Sequence, residues 1–235
     1  MTFVACEVSE NPYIRTMIDS LEAAKTQPVV VPIRSLGPSH RGRIETHLLA
    51  LDEHDRYLRF GYAANDEQIR RYVQGLDFDR DDIFGIYNRK LELIAMAHLA
   101  FSQDPATLSC AEFGVSVLKK ARGRRYGSRL FERAVMHARN EGVDMLFIHA
   151  LSENTAMLKI ARSGGAVLER AGSETDAFLR LPPATLDTRV SELVEQQLAL
   201  TDYRLKQQVK TFWAFLSGVQ EVRQGVREAR HKSAG

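Results

Sequence analysis

From Cys110 to Gly165 the hydrophobic pattern runs strand, turn, helix, strand, helix, which restricts the chain to folds that layer helices on a sheet. Cys110 to Leu118 reads as a buried strand, with Ala111-Glu112-Phe113-Gly114-Val115-Ser116-Val117 rich in β-branched and aromatic residues. The turn Lys119-Lys120-Ala121-Arg122-Gly123-Arg124-Arg125-Tyr126-Gly127-Ser128 follows. Leu130, Phe131, Ala134, Val135 and Ala138 then recur at helical spacing, and Asn140 and Gly142 mark the stop. Asp144 to Ala150 is the next strand, and Asn154 opens the second helix.

A strand that feeds a glycine turn opening a helix presents unpaired backbone N–H groups at the positive end of a helix dipole. Such a turn suits a phosphate or pyrophosphate. Lys119, Lys120, Arg122, Arg124 and Arg125 deepen the positive field. A nucleotide triphosphatase loop would need Gly-Lys-Ser/Thr after its last glycine, and none is present. A dinucleotide fingerprint needs three glycines, and this turn has only Gly123 and Gly127.

The arrangement resembles the acetyl-CoA-binding core of the GCN5-related N-acetyltransferases (GNAT), whose signature Gln/Arg-x-x-Gly-x-Gly/Ala opens a helix after a hydrophobic strand. Arg122-Gly123-Arg124-Arg125-Tyr126-Gly127 lies on that pattern, with Arg125 where the first signature glycine falls and Gly127 on the second. If that position needs a positive φ, Arg125 costs strain or displaces the ligand. If the backbone there is already helical, the arginine adds a phosphate contact. The second is preferred, since Gly123 can absorb local distortion. Asn154-Thr155-Ala156-Met157-Leu158 to Gly164-Gly165 is similar to the family's Asn-x-x-Met-Leu…Gly segment. The resemblance spans roughly residues 29 to 182 and implies a mixed, mostly antiparallel sheet flanked by helices (α/β, of the α+β type). Asp55-Arg56-Tyr57-Leu58-Arg59-Phe60-Gly61 is similar to a run in a bacterial branch that includes acetyltransferases of protein lysines.

The resemblance also implies roles. The backbone N–H of Val117 polarises the thioester carbonyl, and the strand around Val115 to Val117 pairs with the pantetheine arm. The turn from Arg122 through Gly123, Arg124, Arg125, Tyr126 and Gly127 to Ser128 holds the pyrophosphate, and Asn154 hydrogen-bonds the pantetheine. Asn154 can equally be an N-terminal helix residue beside a Ser152 cap, and the arginines a solvated charge run. Glu112 is the candidate general base, where relatives often carry a glutamate. Period-two alternation places it with Gly114 and Ser116 on one face of the strand, and a carboxylate on a buried strand is costly unless paired or functional. The alternative is a solvated or ion-paired strand edge. Where relatives often carry a tyrosine acid, this chain has Ile160-Ala161, and no tyrosine occurs between residues 127 and 202. The thiolate then leaves unaided or through water, as a thiol with a pKa near about 8.5 can.

The chain has 235 residues, enough for one such domain with extensions. A net charge of +2 is too small to argue for bulk nucleic-acid binding. Two cysteines, Cys6 and Cys110, give no disulfide framework and suit a reducing cytoplasm. No apolar run is long enough to span a bilayer, and the histidines lack metal-ligand spacing, so no metal is expected.

Residues 1–28 read as an N-terminal extension with an amphipathic helix on Ile14, Met17, Ile18 and Leu21. Residues 29–183 are the acetyltransferase domain. Val29 to Arg34 reads as its first strand, and Ser39 as the cap of a helix on Ile44, Leu48 and Leu51. The run from Arg56 to Phe60 either lines the acceptor side or is a helix with Tyr57 and Phe60 in the core. Ile83–Tyr87 and Leu91–Phe101 form a hairpin, followed by a turn at Ser102 to Pro105. Residues 184–235 are a helical extension with apolar faces on Leu186, Val190, Leu193, Val194 and Leu198, and on Leu205, Val209, Phe212, Trp213, Leu216 and Val219. Such stripes need burial against the domain or another subunit.

The expected activity is transfer of acetyl from acetyl-CoA to an amine, a protein lysine or a small amine. Two alternatives stand beside it: a CoA-binding module with weak or lost turnover, and an interaction protein that works, as a homo-oligomer or otherwise, through its C-terminal helices.

Overall fold

The computed structural model describes residues 31–102 and 109–207. Seven strands make one sheet: β1 (Arg34–Leu36), β2 (Asp82–Tyr87), β3 (Leu93–Phe101), β4 (Cys110–Val117), β5 (Met145–Leu151), β6 (Val167–Ala171) and β7 (Glu174–Arg180). Their spatial order is β1-β2-β3-β4-β5-β7-β6. All neighbouring pairs are antiparallel except β4 with β5. The sheet is therefore mixed and mostly antiparallel, as expected.

Helices cover both faces, and β4 shows how its sequence assigns them. Phe113 packs edge-on against Phe131 of α4 (Tyr126–Asn140), 5.1 Å between ring centroids. One residue on, Gly114 lies beneath the guanidinium of Arg59 from α2 (Glu53–Phe60). Ser116 bonds to His47 of α1 (Arg41–Leu49). Period-two alternation thus sends odd residues to α4 and even residues to α1 and α2. Helix α3 (Asp66–Gln74) packs on α1 and is closed at its start by a capping box between Asn65 and Gln68. Helix α5 (Thr155–Ser163) lies beside α4, where a Cβ on Gly164 would stand 2.2 Å from the Phe131 ring. Only glycine permits that approach.

Three local readings change. The first strand is Arg34–Leu36 rather than one running from Val29, since Pro32 has no N–H to give a ladder; residues 29 and 30 lie outside the described residues. Ser39 sits inside a 3-10 turn, Pro38–His40, and caps nothing; α1 starts behind it at Arg41. The run Arg56 to Phe60 is helical, but Tyr57 and Phe60 are half-exposed, and the buried residue of the helix is Asp55, just before the run. The expected N-terminal helix, the turn beyond Ser102 and the tail past residue 207 fall outside the described residues.

Residues 186–207 form a helix, α6, but its apolar stripe faces away from the domain: Leu186 is 84% exposed and Leu193 60%. The face turned inward carries Glu192, Ala199 and Tyr203. Glu192 accepts hydrogen bonds from Arg133 (2.7 Å), His137 (2.5 Å) and Asn140 (2.5 Å) of α4, and His137 also reaches Asp82 at 2.8 Å. Further along, the Tyr203 ring meets Tyr87 edge-on at 5.3 Å. Buried charge pairing with α4, invisible in an apolar pattern, sets the orientation of α6. Among the described residues no helix is long and apolar enough to cross a membrane.

Candidate active site

The opening between β4 and β5 follows from register. β4 stays paired with β3 through Val117, yet it pairs with β5 only from Cys110 to Glu112. Beyond Glu112 the two strands part. The Leu118 amide bonds to the Ile94 carbonyl of the β3 side at 3.0 Å. Even-numbered residues of β4 therefore direct their peptide groups to β3, and odd-numbered ones to the gap. Val115 and Val117 present free amides there, and the Val117 carbonyl accepts from Arg122 Nε at 3.2 Å.

A cleft of about 850 Å3 occupies this gap and runs to the start of α4. Val115, Val117, Arg122, Gly123, Arg125, Tyr126, Gly127, Ser128 and Asn154 all line it. At its mouth no side chain caps α4, and the first intrahelical bond is donated by Arg129 to the Arg125 carbonyl. The amides of Tyr126, Gly127 and Ser128 precede that bond and meet the cleft unpaired within the helix. With the helix dipole they make an anion site. A Cβ at Gly127 would stand 2.9 Å from Ile160 Cδ1, so a side chain there must push Ile160 aside or enter the cleft. An extended chain ending in a pyrophosphate fits this geometry: peptide groups along one side, helix amides at one end.

Two arginine expectations are revised. Arg125 is left-handed, with φ 60 and ψ 20, not helical. Gly123 is also at positive φ, 77, so it turns the chain rather than sparing Arg125. A non-glycine residue in this region costs on the order of 1 kcal/mol, which the tight strand-to-helix connection imposes. Arg124 is exposed and does not line the cleft.

The charges of the turn are partly committed. Lys119 pairs with Asp52 (2.5 Å), Lys120 with Glu92 (2.8 Å), and Arg122 with the buried Asp55 (2.6 Å). The Lys119 ammonium holds Asp52 below the usual carboxylate range, and Lys120 does the same for Glu92. Among the described residues no ion pair takes up Arg124 or Arg125, so Arg125 is a cation of the cleft wall left without a carboxylate partner.

Asn154 is itself the cap of α5: its Oδ1 accepts from the Met157 amide at 3.1 Å, and its Nδ2 donates to the Leu58 carbonyl at 3.2 Å. That second bond ties α5 to α2 across the cleft. One N–H of the amide is left for a ligand.

Glu112 is exposed, off the cleft lining, on the face shared with Gly114 and Ser116. Its charge acts to raise the pKa values of His98 and His149. Beside it lies a relay that sequence reading missed. Arg59 Nη2 donates to the Tyr72 hydroxyl (3.2 Å), Tyr72 meets His98 Nδ1 (2.8 Å), and His98 Nε2 meets Asp81 (2.9 Å). Burial holds His98 below its ordinary pKa. A neutral ring donating from Nε2 to Asp81 and accepting from Tyr72 at Nδ1 satisfies every member. The relay fixes the Arg59 guanidinium over Gly114, on the cleft wall. Burial likewise pushes His47 down to about 4. His47 donates from Nδ1 to the Leu93 carbonyl (2.9 Å) and accepts from the Ser116 hydroxyl (2.8 Å), which lines the cleft. These partners sit 13 to 69 residues apart in the chain, so no local motif announces them. Among the described residues no group of three or more His, Cys, Asp or Glu is placed to hold a metal.

The family comparison agrees with this geometry. Residues 47–164, just over half the chain, match the acetyltransferase (GNAT) family. The chain belongs to the GNAT acetyltransferase family.

The GNAT domain of PAT from S. lividans matches with a TM-score of 0.55 at 19% identity, covering 65% of this chain and 95% of that one. A GNAT-family acetyltransferase from Streptococcus pneumoniae matches at 0.52 and 13% identity (64% and 98% covered). Spermidine N-acetyltransferase from Vibrio cholerae, in complex with CoA and spermine, matches at 0.52 and 14% identity (65% and 96% covered). At these identities the likeness shows the fold. A comparison with curated proteins finds no match. GNAT proteins use acetyl-CoA.

Proposed function

We propose that this protein transfers the acetyl group of acetyl-CoA to an amine, either a protein lysine or a small amine, by direct attack. The observation that carries the reading is the parting of β4 from β5 after Glu112, which leaves the Val115 and Val117 peptide groups facing a cleft that ends on uncapped helix amides. The Val117 N–H is suited to polarise a carbonyl, since a fixed donor in a site shielded from water stabilises developing negative charge. Arg125 and the amides of residues 126–128 suit a pyrophosphate. A neighbour of the same fold is solved with CoA and spermine, and the Arg-Tyr-Leu-Arg-Phe run supports the bacterial branch that includes protein-lysine acetyltransferases.

Attack requires the amine to lose a proton. Glu112 is the proposed base, reached directly or through water. His98 is a poorer choice, because both of its nitrogens are engaged by Tyr72 and Asp81. The test is release of free CoA thiol from acetyl-CoA across a panel of lysine peptides and small amines. Wild type should turn over with at least one acceptor, and Glu112→Gln should lower kcat/KM by roughly 10²–10⁴ with acetyl-CoA affinity unchanged. Binding without release for any acceptor would leave the CoA-binding module as the function. Full activity in Glu112→Gln would remove Glu112 from the mechanism.

The outward stripe of α6 favours a second reading for the tail, association of two copies through residues 186–207. Mass in solution should halve in Leu193→Glu; a wild type that runs as a monomer contradicts it.

A further inference from the structure

Away from the cleft, a cavity of about 390 Å3 opens between the β1–α1 segment and the end of α6, with Arg34, Ser39, His40, Arg43, Tyr203 and Arg204 on its walls. Among the described residues three arginines and no carboxylate line it. Among the described residues no ion pair takes up Arg34, Arg43 or Arg204; nearby Asp202 pairs with Lys206, and Glu45 with Arg70. Like charges brought together without a counter-ion repel.

Two of the arginines are held in place. The Arg34 guanidinium lies 3.9 Å over the Tyr203 ring, and Arg43 donates to the Tyr203 hydroxyl. Tyr203 is buried and fixed edge-on against Tyr87. Nη1 of Arg34 is buried and has no hydrogen-bond partner. A buried charged donor without an acceptor is a standing cost, and it leaves the charge of Arg34 uncompensated beside the cavity. His40, between the two segments, is held below its ordinary pKa by burial and then by the Arg34 charge, so the uncompensated field is felt within the cavity.

We propose that this cavity binds the phosphate monoester group of a small molecule, with Arg34, Arg43 and Arg204 as its ligands. Guanidinium forks match phosphate oxygens. A dianion with three terminal oxygens offers one to each arginine, whereas a carboxylate offers two oxygens and a single charge. The space exceeds what one phosphate needs, which leaves room for the ester group. The ligand bridges β1 and α6 and so fastens the C-terminal helix to the sheet edge. This site is separate from the cleft and does not depend on the acetyltransfer reading.

The test is calorimetric titration of the full chain at fixed ionic strength with glycerol 3-phosphate, inorganic phosphate and acetate, on wild type and on Arg34→Gln, Arg204→Gln and Arg125→Gln. Glycerol 3-phosphate should bind more tightly than inorganic phosphate, and acetate should give no specific heat. Affinity should fall about tenfold or more in Arg34→Gln and in Arg204→Gln, the loss of a charge-assisted bond, and stay unchanged in Arg125→Gln. Arg204 is exposed, so its variant keeps the fold even if Arg34→Gln loosens α6. Equal heats for phosphate and acetate, wild-type affinity in Arg204→Gln, or a loss confined to Arg125→Gln, which would put the phosphate in the cleft, would each overturn the proposal.

Discussion

Replacing Glu192 with alanine is expected to lower the unfolding free energy by about 3–5 kcal/mol, the cost of leaving a buried charge without its partner. Arg133 is only 2% exposed, and Glu192 is its one ion-pair partner among the described residues. Two further nitrogens of Arg133 are buried without hydrogen-bond partners, so the guanidinium relies on that carboxylate and on its place over the Phe84 ring, 5.0 Å away. Urea denaturation of wild type, Glu192→Ala and Glu192→Gln measures it, the amide giving a smaller loss because it can still accept a hydrogen bond. A loss below about 1 kcal/mol in Glu192→Ala would mean that α6 is not pinned through this network.

The same network predicts a stability profile in pH. Burial alone would raise the Glu192 pKa, but hydrogen bonds from His137, Asn140 and Arg133 outweigh it and bring the value to about 2, below the ordinary 4.5. That contribution is present above 4.5 and is lost as pH falls toward 2. Burial alone would lower His137, but Asp82 and Glu192 raise it from 6.5 to about 9. Its contribution is complete below 6.5 and is lost as pH rises through 9. Stability from these groups should therefore be flat between pH 4.5 and 6.5 and fall on both sides. The alkaline fall should flatten in His137→Gln; an unchanged slope there would contradict the assignment.

Gly127→Trp is expected to reduce acetyl-CoA affinity by about a hundredfold or more while leaving the fold intact. Even a Cβ at this position would stand 2.9 Å from Ile160 Cδ1, and the rest of an indole has only the cleft to enter. There it takes the space between the amides at the start of α4 and the side of α5 that the pyrophosphate needs. Gly127→Ala should cost far less, since Ile160 Cδ1 is the far end of a flexible side chain and can turn aside. Calorimetry on both variants, with urea midpoints as the control for folding, separates closure of the cleft from unfolding. Wild-type affinity in Gly127→Trp would place acetyl-CoA somewhere else.

Much of the site was legible because its parts are consecutive in the chain. The strand from Cys110, the glycine turn, Gly127 and Asn154 each carry a local signature, and the fold brings them to one cleft. What escaped depends on distance. Arg125 reads as a helical residue from its neighbours, and only the tightness of the connection to β4 sends it to positive φ. Tyr72, His98 and Asp81 look like scattered polar residues until β3 and α3 converge on Arg59. The tail shows the limit of hydrophobic patterning. Its apolar stripe left open burial against the domain or another subunit, and three α4 side chains at positions 133, 137 and 140 bond to Glu192 and turn the stripe outward. A buried carboxylate outranked an amphipathic moment, and nothing local to Glu192 reveals it.

Amide hydrogen exchange on the wild type, with and without acetyl-CoA, tests the central claim most directly. The Val115 and Val117 amides face an open gap and the amides of residues 126–128 precede the first intrahelical bond, so all should exchange readily in the free protein. Saturating acetyl-CoA should slow exchange at both places together, while the even-numbered amides of β4, already bonded to β3, should change little. Protection absent from β4 and the start of α4, or confined to some other part of the chain, would contradict the account.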